Sequence, residues 1–161
     1  MPRLLSRSLF LLLVLTATAV AALDAPEGRP ILTVDGAISE TNAEGRAVFD
    51  RAMLAALGWQ EVETYSDFFE GTERLAGPSL ASLLEALGVQ GGTLVALALD
   101  DYKARIPVSY AAEHGVILAL DREGRPMRVR DKGPIWLVYP ASDPALIDQR
   151  LSARMVWQLT H

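Results

Sequence analysis

Apolar residues recur along this chain in two rhythms, one near 3.6 residues and one of two, and glycine, proline and short polar clusters mark the switches. Leu80, Leu83, Leu84 and Leu87 share one helical face, with Ser79 at the N-cap position and Gly88 at the stop. That pattern predicts a helix between them. A second helix is predicted where Thr41 and Glu44 form a capping box ahead of Val48, Phe49, Met53, Ala56 and Leu57, ending at Gly58. Strands are expected at residues 31–34, closed by the Asp35-Gly36 turn, and at the alternating stretch 61–65. Residues 66–71 read as a loop carrying two exposed or half-buried phenylalanines.

The run 93–99 is apolar after its first residue, as in a strand covered on both faces, and 102–106 alternates as its partner. Pro107 opens a short helix or turn, and segments 116–120 and 127–129 flank a hairpin loop at 121–126. A buried strand at 135–139, a short helical piece at Asp143-Pro144 and a strand at 154–159 complete the reading. Together these elements predict one α+β domain with a mixed β-sheet and few short helices.

Residues 1–21 read as a signal peptide: Arg3 and Arg7 precede an apolar run from 9 to 15, and Ala19-Val20-Ala21 fits a small-residue cleavage site. The two arginines are not adjacent, so the twin-arginine pattern is missing and export of an unfolded chain is expected, to a periplasmic or secreted destination. No later stretch is long and apolar enough to span a bilayer. The remaining residues, 22–161, suffice for a single domain without disulfides, and there is no cysteine. Without Arg3 and Arg7 the 15 basic residues fall to 13 against 20 acidic, a net charge of −7. Such a surface repels nucleic acid, so any bound anion needs a local basic pocket.

The richest stretch is Asp131-Lys132-Gly133-Pro134-Ile135-Trp136-Leu137-Val138-Tyr139-Pro140, a charged turn feeding a buried strand, with backbone amides beside a lysine where an anion could sit. Upstream lie Gly77-Pro78-Ser79-Leu80, Leu83-Leu84, Asp100-Asp101-Tyr102 and Ile106-Pro107. In order and spacing these motifs, spread over residues 31–161, resemble the sulfite-oxidase-type molybdopterin-binding domain family. The resemblance implies that family's fold, with molybdopterin as its cofactor. Lys132, Gly133 and Pro134 match the family's Gly-Gly-Pro turn near the cofactor edge, with Lys132 replacing a glycine. Tyr102 matches a corner leading into the next strand, and Arg154 lies near the segment that grips the pterin phosphate. Arg130, with Arg128 and Lys132, adds a basic cluster able to hold phosphate, sulfonate or carboxylate.

Ordinary structural roles compete at each position: a solvated turn bridged to Asp121, Glu123 and Asp131, a packed tyrosine, a surface arginine. Catalytic members of the family hold molybdenum through a cysteine thiolate, expected near Thr64-Tyr65-Ser66, where this chain has none. The resemblance further implies that exported members acquire the cofactor before crossing, which an unfolded passenger does not. The expectation is therefore a non-catalytic module with no cofactor, no metal ligands and no catalytic residues, binding a small anionic ligand or an envelope protein. The alternative is a molybdopterin-dependent oxidoreductase whose metal takes an oxygen ligand from Ser66 or Tyr65, a hydroxyl that must ionise against its normal pKa.

Other constellations are weaker. His114 and His161 lack metal-ligand spacing. No Gly-x-Ser-x-Gly elbow is present. Trp59, Trp136 and Trp157 are expected in or near the core.

Overall fold

Short antiparallel strands supply more of the buried apolar residues than the helices do. The computed structural model describes residues 23–161, and the predicted signal peptide lies outside them. In chain order the elements are β1 (Pro30–Asp35), β2 (Arg46–Asp50), α1 (Arg51–Ala55), β3 (Trp59–Tyr65), β4 (Thr72–Pro78), α2 (Leu80–Ala86), β5 (Thr93–Leu97) and β6 (Lys103–Pro107). There follow α3 (Tyr110–Glu113), β7 (Ile117–Ala119), β8 (Asp121–Arg122), β9 (Arg125–Pro126), β10 (Trp136–Val138), α4 (Gln149–Ser152) and β11 (Val156–Trp157). The α+β class is as expected.

Among the described residues the strands form four sheets, ordered β1-β2, β3-β4-β8-β9, β5-β6 and β11-β10-β7. Each ladder among the described residues is antiparallel, so the expected mixed sheet is corrected. Parallel pairing needs a crossover of a dozen or more residues, usually helical. Among the described residues the longest α-helix, α2, has seven residues.

Helix α2 forms where the leucine pattern puts it. Ser79 Oγ accepts from Ser82 N at 3.0 Å, and Leu80, Leu83 and Leu84 are buried. The capping box at Thr41 and Glu44 is a second correction, because the chain there is a hairpin turn and Ala47 and Phe49 alternate inward along β2. Asn42 organises that turn: its side-chain amide donates to Asp24 O and Val48 O while its carbonyl accepts from Val48 N. The helix starts later, at α1, capped by Asp50, whose carboxylate accepts from Met53 N at 2.9 Å and Gly28 N at 2.7 Å. Those two amides hold its pKa below the usual carboxylate value. Strand β4 is a further element that the sequence pattern missed.

Residues 158–161 stitch the sheets together. Thr33 N donates to Thr160 O, Leu97 N to His161 O, Leu99 N to Gln158 O and Gln158 N to Lys132 O. The core beneath centres on Trp136, Phe49, Leu54, Leu75, Leu118 and Ile135, all buried. Trp59 lies outside it, 40% exposed, with the Arg51 guanidinium 6.0 Å from its ring centroid.

Candidate functional site

The Asp131–Pro134 turn uses its own amides. Asp131 N and Gly133 N both donate to Arg128 O, at 2.8 and 2.9 Å, and Lys132 N donates to Val129 O at 3.3 Å. The backbone nest expected for an anion is therefore occupied by carbonyls of the same turn. A glycine is required at 133, because a Cβ there would meet Met127 O at 2.5 Å. Lys132 takes the left-handed conformation at φ 72°, the region that glycine enters without strain.

From that backbone the Lys132 side chain enters an aromatic enclosure that the sequence did not suggest. Its Nζ lies 4.6 Å from the Phe68 ring centroid, 4.7 Å from Trp136 and 4.8 Å from Trp157. It also donates to Phe68 O at 3.5 Å. The faces of three rings stabilise the ammonium by cation–π attraction. Burial lowers its pKa below the usual lysine value, the nearby Arg122 lowers it further, and Glu73 opposes both. Phe68 meets Trp157 edge-on at 5.0 Å and Trp136 at 6.0 Å, which fixes the box.

The remaining residues of the expected site lie elsewhere. Tyr102 Oη donates to Ala153 O at 2.7 Å, which places it beside Arg154. Arg154 Nε donates to Arg105 O, its Nη1 donates to Arg150 O, and its guanidinium sits 5.5 Å from the Tyr110 ring centroid. Arg130 is largely exposed and lies 3.8 Å from Asp131, which also pairs with Arg128 at 2.9 Å. The Arg128 hydrogen bond holds the Asp131 carboxyl below its usual pKa. Pro134 follows Gly133 into β10 and has no donor. Tyr102 and Arg154 are thus brought together, while Lys132 faces its aromatic box and Arg130 faces solvent.

Molybdopterin does not fit around Ser66. Its Oγ accepts from Phe68 N at 3.3 Å and lies 3.9 Å from Met155 Sδ. Tyr65, Ser66, His114, Tyr139 and Met155 surround a cavity of about 30 Å³, the space of about one water.

The same cavity wall carries an energetic cost. Tyr139 is buried, its hydroxyl has no hydrogen-bond partner among the described residues, and burial pushes its pKa up to about 12. A buried hydroxyl without a partner costs roughly 1–3 kcal/mol. Tyr139→Phe is expected to raise stability by about 1 kcal/mol, measured by urea unfolding at pH 7. The raised folded value also sets a pH dependence. Above pH 10 the unfolded tyrosine ionises while the folded one keeps its proton, so stability falls between about pH 10 and 12. The phenylalanine variant should lose that slope.

A larger cavity, about 290 Å³, lies between β1, β5 and α2. Leu83, Leu84, Leu87, Leu118 and Leu137 line its floor, and the rim carries Asp35, whose carboxylate sits 3.2 Å from His161 Nε2. The sequence pattern hid it, because the same leucines read simply as core. A scan against models of known protein families finds no match to this chain, and a search of curated proteins finds none either.

Proposed function

We propose that this protein is an exported, non-catalytic domain of sulfite-oxidase-type molybdopterin-binding descent whose work is to bind a protein partner. One observation carries the reading. The donors that the resemblance assigns to the pterin, on Lys132, Gly133, Arg154 and Tyr102, point at rings or carbonyls of their own chain. Groups already engaged this way exchange one set of hydrogen bonds for another when an anion arrives, and the net gain is small. The one-water cavity at Ser66 supports the same reading, since an ionised oxygen ligand would need room and a cationic neighbour. A protein partner is favoured over a small anion because the other two basic residues of this cluster, Arg128 and Arg130, already share Asp131.

Elemental analysis of the protein isolated from its native compartment tests the proposal. The expected result is no stoichiometric molybdenum, and no dye-linked reductase activity that Ser66→Ala or Tyr65→Phe removes. One molybdenum per chain would overturn it.

A further inference from the structure

Strand β3 ends its sheet, in the order β3-β4-β8-β9, and pairs only with β4 among the described residues. Two bonds beyond β4 fix which backbone groups of β3 face outward: Leu120 N donates to Ala76 O and Glu123 N to Arg74 O. Ala76 and Arg74 thus direct their groups away from β3. Because groups in an antiparallel ladder alternate sides, their opposites Glu61 and Glu63 direct their own N–H and C=O away from β4. Tyr65, two residues on, follows the same phase, since its N–H leaves the ladder and donates to Ala141 O at 2.9 Å. Among the described residues the backbone groups of Glu61 and Glu63 have no backbone partner. The register runs without a shift from Trp59 to Tyr65, so neither bulge nor proline blunts this edge.

The side chains say what the edge accepts. Alternate positions share a face, which sets Trp59, Glu61 and Glu63 in one exposed row. Arg74 is shared between Glu61 at 3.7 Å and Glu123 at 3.9 Å, while Glu63 accepts from the Thr72 hydroxyl at 2.8 Å. Three carboxylates thus stand around one cation. A second copy of the chain pairing here would bring glutamates of both copies together, and like charges directly opposite destabilise a sheet. A basic strand meets no such barrier. The Trp59 ring extends the preference, because an aromatic face attracts a cation. On the other face of β3 the half-buried Val62 offers apolar contact.

Resting on the partner-binding reading above, we infer that the outer edge of β3 takes an extended segment of a partner protein as an added strand, with lysine or arginine at alternate positions beside Trp59, Glu61 and Glu63. Backbone pairing holds the segment, and the glutamate row selects its charge and register.

The probe is a synthetic hexapeptide alternating lysine and valine, added to the whole protein. Binding is expected, with slowed amide exchange at Glu61 and Glu63 read by NMR. The same peptide N-methylated throughout should bind at least roughly tenfold more weakly, because backbone pairing is lost while the charges remain. The protein carrying Glu61→Gln and Glu63→Gln together, both exposed positions, should bind the first peptide roughly fivefold more weakly. Equal binding by both peptides would reduce the contact to diffuse charge attraction and overturn the inference. So would undiminished binding by the glutamine variant, self-association that protects the same amides without peptide, or no protection with either peptide. Molybdenum-loaded protein that still binds the first peptide would overturn the non-catalytic reading alone.

Discussion

Trp136→Ala is expected to lower the unfolding free energy by about 3–5 kcal/mol, the usual cost of emptying a large aromatic site in a core. Trp136 is fully buried in β10, pairs with Ala119 and Trp157, and meets Phe68 and Phe69 edge-on at 6.0 and 6.1 Å. Its indole nitrogen has no hydrogen-bond partner among the described residues, so the loss is one of packing. Trp136→Phe keeps a ring in place and should cost about 1–2 kcal/mol. Urea unfolding separates the two.

A second readout ties this residue to Lys132. Burial is the main cause of that lysine's lowered pKa, so opening the box should return it toward the usual value, followed by NMR titration of the side-chain nitrogen. In the wild type the unfolded chain holds more protons than the folded one between the lowered value and 10.5, so this group makes stability rise with pH there. That slope should shrink in Trp136→Ala. An unchanged Lys132 titration in a folded Trp136→Ala protein would refute the enclosure.

Gly77→Ala should be more damaging still, at least about 4 kcal/mol, enough to leave little folded protein. Gly77 lies on β4 where that strand crosses close to β7, and a Cβ there would strike the Leu118 carbonyl and come within 3.0 Å of Ala119 Cα. The obstacle is backbone, fixed by the bonds from Leu120 N to Ala76 O and from Leu80 N to Val116 O, both 2.8 Å. No rotamer can relieve it. Gly36→Ala is the control: nothing lies within 4 Å of its Cβ, and only its positive φ is strained. That change should cost about 1 kcal/mol. Comparable stability of the two variants would mean β4 and β7 are not in close contact.

Local signals in the sequence were sufficient where structure is local. Helix α2 follows from its cap, its leucine spacing and Gly88, and the 121–126 loop forms the tight β8–β9 hairpin turning at Glu123 and Gly124, both with positive φ. The Thr41–Glu44 reading failed because Asn42 offers the backbone a competing set of side-chain bonds, and a two-residue rhythm at Ala47 and Phe49 was mistaken for a helical one. Strand β4 was hidden because Gly77 and Pro78, residues that ordinarily interrupt a strand, are part of it. The Lys132 box was illegible for a different reason. Phe68 and Trp157 lie 64 and 25 residues from the lysine, and only the folded chain brings them to it. Basic composition around 128–132 suggested an anion site, whereas aromatic neighbours turn the charge inward.

The stitch at 158–161 governs when this molecule can exist. It supplies partners to Thr33, Leu97, Leu99 and Lys132, from two sheets, the loop after β5 and a turn, so a ribosome-bound chain lacks its closing bonds until translation has reached His161. Until then the β1–β2 and β5–β6 hairpins lack the strand that joins them.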